Sequence, residues 1–175
     1  MKVGLLSGTF DPVHSGHITI AFVALDSLSL DQIWLLPEEQ PRNKQEVTPY
    51  VHRVAMLKIV AQDSPNLEVI EVENAAHSVD TLREFKIQTP NDFFILVGGD
   101  VADDLDSWDD IDEIKQLATI VTVGRNDQKA DITLKHPASS KVIRTQISSG
   151  KQPADIDPRV LSYIHEHKLY QEPAT

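Results

Sequence analysis

The chain has 175 residues, no cysteine, and a net charge of −11 from 27 acidic and 16 basic side chains. The lack of cysteine excludes disulfides, thiolate nucleophiles and cysteine-ligated metals, and the acidic excess argues against the basic face that binds a nucleic acid polymer. No apolar run reaches the length of a membrane span, and Ser7-Gly8 comes too early for a signal peptide, so a cytoplasmic location is expected.

Short apolar runs alternate with amphipathic stretches, a pattern typical of a parallel sheet covered by helices. In chain order, we predict a strand over 2–6, a helix over 18–28, a strand over 32–36, a helix from a Thr48 N-cap to about Gln62, a strand over 67–72, a helix from a Ser78 cap to Lys86, a strand over 92–97, a helix over about 109–117 and a strand over 119–123.

The tail is expected to be helical. One helix is predicted from Ser139 and Ser140 to Gln146, and Asp157-Pro158 is expected to cap a last helix. The polar stretch 38–47 is expected to form a mobile loop beside the site. The sequence therefore predicts a single α/β domain over 1–175, a Rossmann-like doubly wound parallel sheet with a short helical C-terminal part.

A segment with two glycines and two histidines lies between the first predicted strand and the first predicted helix. It reads Gly8-Thr9-Phe10-Asp11-Pro12-Val13-His14-Ser15-Gly16-His17. In open α/β sheets, ligands bind beyond the carboxyl ends of the strands and against helix N-termini, which attract anions. We expect Gly8 to let a phosphate approach the backbone, and Gly16 to remove a side chain where the helix N–H groups are unpaired.

The two histidines are three residues apart, so both rings can point at the same phosphates. Histidine donates hydrogen bonds and can carry charge near neutral pH, which suits a transition state that accumulates negative charge on a phosphoryl group. The spacing alone leaves two alternatives open: a chance pair on a surface helix, and a metal site with no obvious third ligand. The acidic net charge does not exclude a small phosphate ligand, which needs only a local cationic site.

The whole string resembles the signature of the HxGH nucleotidyltransferase superfamily, and within it the chain is most similar to bacterial nicotinate-nucleotide adenylyltransferases. The resemblance implies transfer of AMP from ATP to nicotinate mononucleotide, which gives deamido-NAD and pyrophosphate, with Mg²⁺ entering together with ATP. No general base is expected, because the attacking phosphate is already an anion at neutral pH.

The resemblance continues along nearly the full chain. Gly98-Gly99-Asp100 resembles the glycine-x-aspartate after the fourth strand, and Ser139-Ser140-Lys141-Val142-Ile143-Arg144 resembles a second signature, isoleucine-serine-serine-threonine-x-isoleucine-arginine. It implies catalytic roles for His14, His17 and Arg144; ATP contacts by Ser7, Gly8, Thr9, Phe10, Gly16, Gly98, Asp100, Ser139, Ser140 and Ile143; and contacts with the mononucleotide by Lys44, Ser78, Val79, Trp108 and Arg125.

Several positions depart from the family pattern. Arg42 and Asn43 replace a proline and a histidine, His77 replaces a tyrosine, and Ala138 and Lys141 replace an isoleucine and a threonine. These departures keep other functions open: an adenylyl- or cytidylyltransferase with another acceptor, such as nicotinamide mononucleotide or phosphopantetheine, or a non-catalytic nucleotide sensor. His14 and Pro12 favour the nicotinate-nucleotide branch over the pantetheine-phosphate and cytidylyl branches.

Other conspicuous residues are expected to be structural. The acidic run 100–113 lacks the glycine of a calcium-binding loop, so all of it except Asp100 is expected to be a solvated helix face. The remaining histidines, His52, His77, His136, His165 and His167, are expected to be surface or structural residues, and Trp34 is expected to lie in the core.

Overall fold

The computed structural model describes residues 1–41, 44, 46–72, 78–98, 105–125, 130–134, 136 and 138–171. Within these residues the strands are β1 (Lys2–Gly8), β2 (Gln32–Pro37), β3 (Leu67–Val69), β4 (Asp92–Gly98), β5 (Ala118–Arg125) and β6 (Ile132–Leu134). The α-helices are α1 (Ser15–Ser27), α2 (Tyr50–Ala61), α3 (Val79–Gln88), α4 (Ile111–Leu117), α5 (Ser140–Ser148) and α6 (Pro158–Glu166).

The strands form one parallel sheet in the order β3-β2-β1-β4-β5-β6. The chain builds outward from β1 to β3 and then crosses back to place β4 on the other side of β1, so that Leu5 lies opposite both Trp34 and Ile95. The strand order therefore reverses between β1 and β4. In such sheets the crevice at the carboxyl ends of the strands beside this reversal is where ligands bind.

Two apolar layers cover the sheet, because neighbouring residues of the central strands point to opposite faces. Leu6 and Leu96 pack with α1, α2, α5 and α6, whereas Leu5 and Ile95 pack with α3 and α4. This explains why the strands are nearly continuous apolar runs rather than alternating ones. Burial of each large aliphatic side chain stabilises the fold by about 1.5–3 kcal/mol.

The predicted fold class and its central strands are confirmed, and so are the caps of α3 and α6: Ser78 accepts the N–H of Thr81, and Asp157 accepts the N–H of Arg159. The short strand β6 was not predicted. Strand β3 ends at Val69 rather than at residue 72. No helix formed by the described residues is both long and apolar enough to cross a membrane.

The predicted N-cap at Thr48 is wrong. The N-cap of α2 is Pro49, which makes no side-chain cap bond. Thr48 instead forms hydrogen bonds that connect it to the neighbouring loop and to α2: its backbone N–H donates to Asp11, and its carbonyl accepts from Arg53. The start of α1 was also misplaced: it begins at Ser15 rather than at residue 18, because the residue before Ser15 is itself the cap.

Candidate active site

The carboxyl edge of the sheet brings together two motifs that are far apart in the sequence. The loop after β1 carries the histidine segment, and α5 begins beside it because Ser140 Oγ donates to the carbonyl of Pro12 at 3.0 Å. Arg144, about one turn further along α5, donates from Nη1 to the carbonyl of Asp11 at 2.5 Å. The two motifs predicted to bind ATP therefore form one surface.

His14 and His17 stack on each other at the start of α1. Their ring centroids lie 3.8 Å apart and their planes are inclined by 27°. His14 is the N-cap residue, and its Nδ1 accepts the backbone N–H of Gly16 at 3.1 Å. His17 Nδ1 accepts the backbone N–H of His14 at 3.2 Å. Each ring is thus tied to the helix start through the same nitrogen.

These bonds determine which nitrogen of each ring carries the proton. An Nδ1 that accepts a hydrogen bond bears no proton, so the neutral ring carries its proton on Nε2. Each histidine therefore has an Nε2–H donor, the kind of group that a phosphate oxygen accepts from. His14 is only 4% exposed, and this burial holds its ring in one orientation.

Gly16 makes room for the His14 ring. A Cβ atom at position 16 would lie 2.9 Å from Cε1 and 3.0 Å from Nδ1 of His14, and 3.3 Å from Nδ1 of His136. Such contacts are well inside the optimal separation of non-bonded carbon atoms. Glycine at this position therefore allows the ring to fold back over the start of the helix.

The expectation of unpaired N–H groups at the start of α1 is corrected by the structure. The N–H of Ser15 donates to the carbonyl of Asp155 at 2.9 Å, and the N–H of His17 donates to the carbonyl of His14 at 3.0 Å. The N–H of Gly16 is taken by the His14 ring, as described above. Side chain and carbonyl groups satisfy these donors, so contact with an anion here depends on the histidine rings.

The buried ring of Phe10 packs against the ring of His17. It is 1% exposed, has a left-handed φ of 49°, and its ring meets the His17 ring edge-on with centroids 4.9 Å apart. A Cβ atom at Gly8 would lie 3.3 Å from the Phe10 ring. The position of Gly8 is thus covered by an aromatic ring, and the side chain of Phe10 supports the site from the core rather than facing a ligand.

The start of α5 differs from that of α1. Ser139 is its N-cap residue but makes no side-chain cap bond, and the N–H groups of residues 140–142 have no acceptor among the described residues. A helix start of this kind, with an arginine close by, favours an anion. Ile143 is 1% exposed and packs in the core, so its predicted contact with ATP could come only from its backbone.

Arg53 on α2 is part of the site's framework and was not assigned to the site from the sequence. It is 1% exposed; burial lowers the pKa of its guanidinium, and the nearby carboxylate of Asp11 opposes that shift. The signal in the sequence is an arginine on the apolar face of a helix, where a charge needs partners. Its guanidinium donates to the carbonyls of Thr9, Glu38 and Thr48 at 2.8 Å and of Glu39 at 3.0 Å.

The residues predicted at the end of β1 lie beside Lys44, which belongs to the loop after β2. Lys44 Nζ donates to Thr9 Oγ1 at 2.6 Å. The hydroxyls of Ser7 and Thr9 each donate to the Glu38 carboxylate at 3.4 Å. The strand end therefore gathers one cation, two hydroxyls and one carboxylate. Arg42 and Asn43 lie outside the described residues.

For the residues predicted to contact the mononucleotide, the structure shows mainly structural contacts or only the position of the backbone. Ser78 uses its side chain to cap α3, and Val79 is buried against the α3 side of the sheet. Trp108 is partly buried and packs on the same layer. Arg125 is the last residue of β5, and Gly98, which was predicted to contact ATP, is the last of β4; both backbones therefore lie at the ligand edge. Asp100, also predicted to contact ATP, lies outside the described residues.

The described part of the acidic run is largely solvent-exposed, as predicted, but it is not one helix face: residues 105–107 form a 3-10 turn, and the α-helix begins at Ile111 rather than at about residue 109. Asp106 is 97% exposed and forms an ion pair with Lys115 at 3.6 Å, and Glu113 pairs with Arg83. The described residues contain no group of three or more histidines and carboxylates that could hold a metal ion.

Trp34, expected in the core, is partly exposed on β2 and packs against Phe85 and Phe93.

A small pocket opens beside the histidine pair. It lies between α1, the ends of β5 and β6, and the approach to α5. Gly16, Ile20, Val123, Leu134, His136 and Ala138 line it. Its walls are mostly apolar, with one imidazole at the edge. His136, expected to be only structural, thus borders the site, where its Nδ1 accepts the N–H of Ala138 at 3.2 Å.

Comparison with known sequences gives consistent matches. A family model described as cytidylyltransferase-like matches residues 5–149. A nicotinate-nucleotide adenylyltransferase of Bacillus subtilis (strain 168) is 35% identical over 188 residues, covering 97% of this chain and 98% of the relative. A probable nicotinate-nucleotide adenylyltransferase of Shouchella clausii (strain KSM-K16) is 35% identical over 185 residues, covering 97% and 96%.

Solved structures share the fold. The nicotinic acid mononucleotide adenylyltransferase of Plasmodium falciparum complexed with NaAD superposes with a TM-score of 0.79 at 20% identity, covering 97% of each chain. A putative nicotinate-nucleotide adenylyltransferase of Vibrio parahaemolyticus gives a TM-score of 0.73 at 21% identity, covering 98% of this chain and 96% of the other. At these identities the likeness supports the architecture of the sheet and helices.

Proposed function

This chain belongs to the nicotinate-nucleotide adenylyltransferase family, and we propose that it transfers AMP from ATP to nicotinate mononucleotide, giving deamido-NAD and pyrophosphate. The observation that carries the proposal is the junction of the stacked histidine pair with the start of α5. That junction gathers Nε2–H donors, N–H groups and the Arg144 guanidinium on one surface at the ligand edge of the sheet.

The chemistry is an in-line displacement at the α-phosphorus of ATP. A phosphate oxygen of the mononucleotide forms the new P–O bond, and the bond from the α-phosphorus to the bridging oxygen breaks, so pyrophosphate leaves with that electron pair. The nucleophile is already an anion at neutral pH. The protein therefore contributes position and charge stabilisation, not covalent catalysis or a general base.

The roles of the residues follow from what they offer. His14 and His17 donate from Nε2 to oxygens of the transferred and leaving phosphates, where negative charge grows. Arg144 neutralises charge on the phosphates that lie at the start of α5. Lys44 is proposed to contact the mononucleotide, and Ser7 and Thr9 at the end of β1 are proposed to contact ATP.

Mg²⁺ is proposed to enter with ATP rather than to reside in the protein. Mg²⁺ prefers oxygen ligands, keeps several waters and commonly binds through substrate phosphates. When bound to the triphosphate it would supply further positive charge to the leaving pyrophosphate. Removal of Mg²⁺ by a chelator should therefore suppress turnover while leaving the unfolding temperature of the protein without nucleotide unchanged.

The acceptor is proposed to be the acid rather than the amide. The positive end of the α3 dipole, at Ser78 and Val79, favours a carboxylate over a neutral amide. In a pyrophosphate-release assay with ATP, nicotinate mononucleotide should therefore exceed nicotinamide mononucleotide and phosphopantetheine by at least roughly tenfold in kcat/KM, about 1.4 kcal/mol of discrimination. Faster release with another acceptor would reassign the substrate, and no release with any acceptor would instead favour a nucleotide sensor.

Gly16→Ala is expected to lower kcat by roughly 10-fold to 100-fold, because a Cβ would displace the His14 ring by a fraction of an ångström to an ångström from its donor position. The same close contacts should lower the unfolding temperature somewhat, although alanine is otherwise favourable in a helix, so kcat is measured at a temperature where circular dichroism shows the variant to be folded. Thr19→Ala, one turn further along α1, is the matched control and should keep its turnover. Full activity of Gly16→Ala would contradict the role given to the His14 ring.

A further inference from the structure

The segment after α6 returns to the histidine loop through one side chain. Tyr170 Oη donates to Asp11 Oδ1 at 2.6 Å, across 159 positions of sequence. Asp11 is only 5% exposed. The chain adopts left-handed φ values of 53° at Lys168 and 59° at Tyr170 to make this approach, a conformation that non-glycine residues hold only where their surroundings enforce it. The contact is therefore a specific feature of the fold.

The other oxygen of the same carboxylate faces the arginine of the site. Asp11 Oδ2 accepts the backbone N–H of Thr48 at 3.3 Å and lies 4.0 Å from Arg144 Nη1. That same Nη1 donates to the Asp11 carbonyl. Asp11 thus orients the Arg144 guanidinium through its backbone, while its carboxylate remains just beyond a direct hydrogen bond to that guanidinium.

The hydroxyl of Tyr170 stays a proton donor throughout the physiological range. Burial raises its pKa well above the ordinary value, and the charge of Asp11 and the hydrogen bond to it raise the pKa further. A buried carboxylate oxygen that loses such a donor is left unsatisfied and turns towards another. Arg53 is already bonded to four carbonyls, whereas Arg144 Nη1 lies 4.0 Å from Asp11 Oδ2, so Arg144 is the cation that we expect to respond.

We propose that Tyr170 is a positioning residue that holds the Asp11 carboxylate away from Arg144, so that the positive charge of Arg144 remains available to the phosphates of ATP. This inference rests on the proposed role of Arg144. Without the Tyr170 hydroxyl, Asp11 closes the 4.0 Å gap and forms a direct ion pair, which the triphosphate must then displace. The C-terminal segment thereby sets the affinity of a site that it does not touch.

The test compares Tyr170→Phe, Asp11→Asn and the double variant. ATP binding is measured by calorimetry without an acceptor, and kcat and KM are measured by pyrophosphate release. Tyr170→Phe should raise the Kd and the KM for ATP by roughly fivefold, the equivalent of one hydrogen bond, with little change in kcat. Asp11→Asn should leave the Kd unchanged or lower it, and Tyr170→Phe should then have no further effect. Tyr163→Phe, which loses a hydroxyl bonded to His52, should behave as the unaltered protein.

Two results would overturn the inference: equal losses of ATP affinity from Tyr170→Phe with and without Asp11→Asn, or an unchanged Kd for Tyr170→Phe. Should Tyr170→Phe fail to fold, Asp11→Asn still decides, because a loss of ATP affinity as large as that of Arg144→Ala would show that the carboxylate supports Arg144 rather than competing with phosphate. Since calorimetry needs no acceptor, the outcome is independent of whether nicotinate mononucleotide is the substrate.

Discussion

Replacing His17 by alanine is expected to lower kcat by about 100-fold or more, the usual cost of removing one donor that stabilises charge in the transition state. The effect should fall on kcat more than on the KM for ATP, because the charge on the transferred phosphate is greatest in the transition state. The measurement is steady-state pyrophosphate release with ATP and nicotinate mononucleotide.

The fold should survive this change. The His17 ring accepts the N–H of His14 and contacts the rings of His14 and Phe10. These partners lie in the loop before α1 and at its first turn, so the loss of the ring should stay local. The matched control is His165→Ala, an exposed histidine near the end of α6, which should keep full turnover. A His17→Ala protein with unaltered kcat and an unaltered circular dichroism spectrum would refute the phosphate-donor role of the histidine pair.

Arg53→Met is expected to lower the free energy of unfolding by roughly 3 kcal/mol or more. The substitution keeps an apolar stem of similar length but removes every donor to four carbonyls that converge on one guanidinium. Those carbonyls belong to the ends of β1 and β2 and to the approach to α2, so the loss should also loosen the site. Chemical denaturation followed by circular dichroism gives the value.

The control for Arg53 is Arg83→Ala on α3. Arg83 makes two close ion pairs, with Glu113 and Asp80, but both are solvent-exposed, and exposed pairs contribute little. Arg83→Ala should therefore leave the denaturation midpoint close to that of the unaltered protein. A larger loss from Arg83→Ala than from Arg53→Met would mean that the buried guanidinium is not a main support of the loops.

The sheet could be predicted because its signal is local. A run such as 93–97 is apolar on both faces, which is what a central parallel strand requires, and the caps at Ser78 and Asp157 are short-range patterns. The ligand edge could be predicted for the same reason, since the histidine segment follows β1 directly. Short-range patterns therefore sufficed for the fold class and for the location of the candidate site.

The rest depends on contacts between distant positions. The sequence does not reveal that His14 would cap α1 with its own ring, since histidine is not a usual cap, or that Thr48 would serve Asp11 instead of α2. It signals that Arg53 needs acceptors but not which carbonyls provide them. Local sequence around Tyr170 does not indicate its partner, because Asp11 lies near the other end of the described chain.

Links between the histidine segment and the C-terminal third span 128, 133, 140 and 159 positions. Contacts of such long range close large loops and form late relative to local structure. Formation of the sheet from β1 to β5 is thus not enough to create a working site. Arg144 and Tyr170 reach Asp11 only when α5 and the segment after α6 pack against the histidine loop. Regain of activity during refolding should report that docking event, and an intermediate with a formed sheet but undocked helices would be inactive.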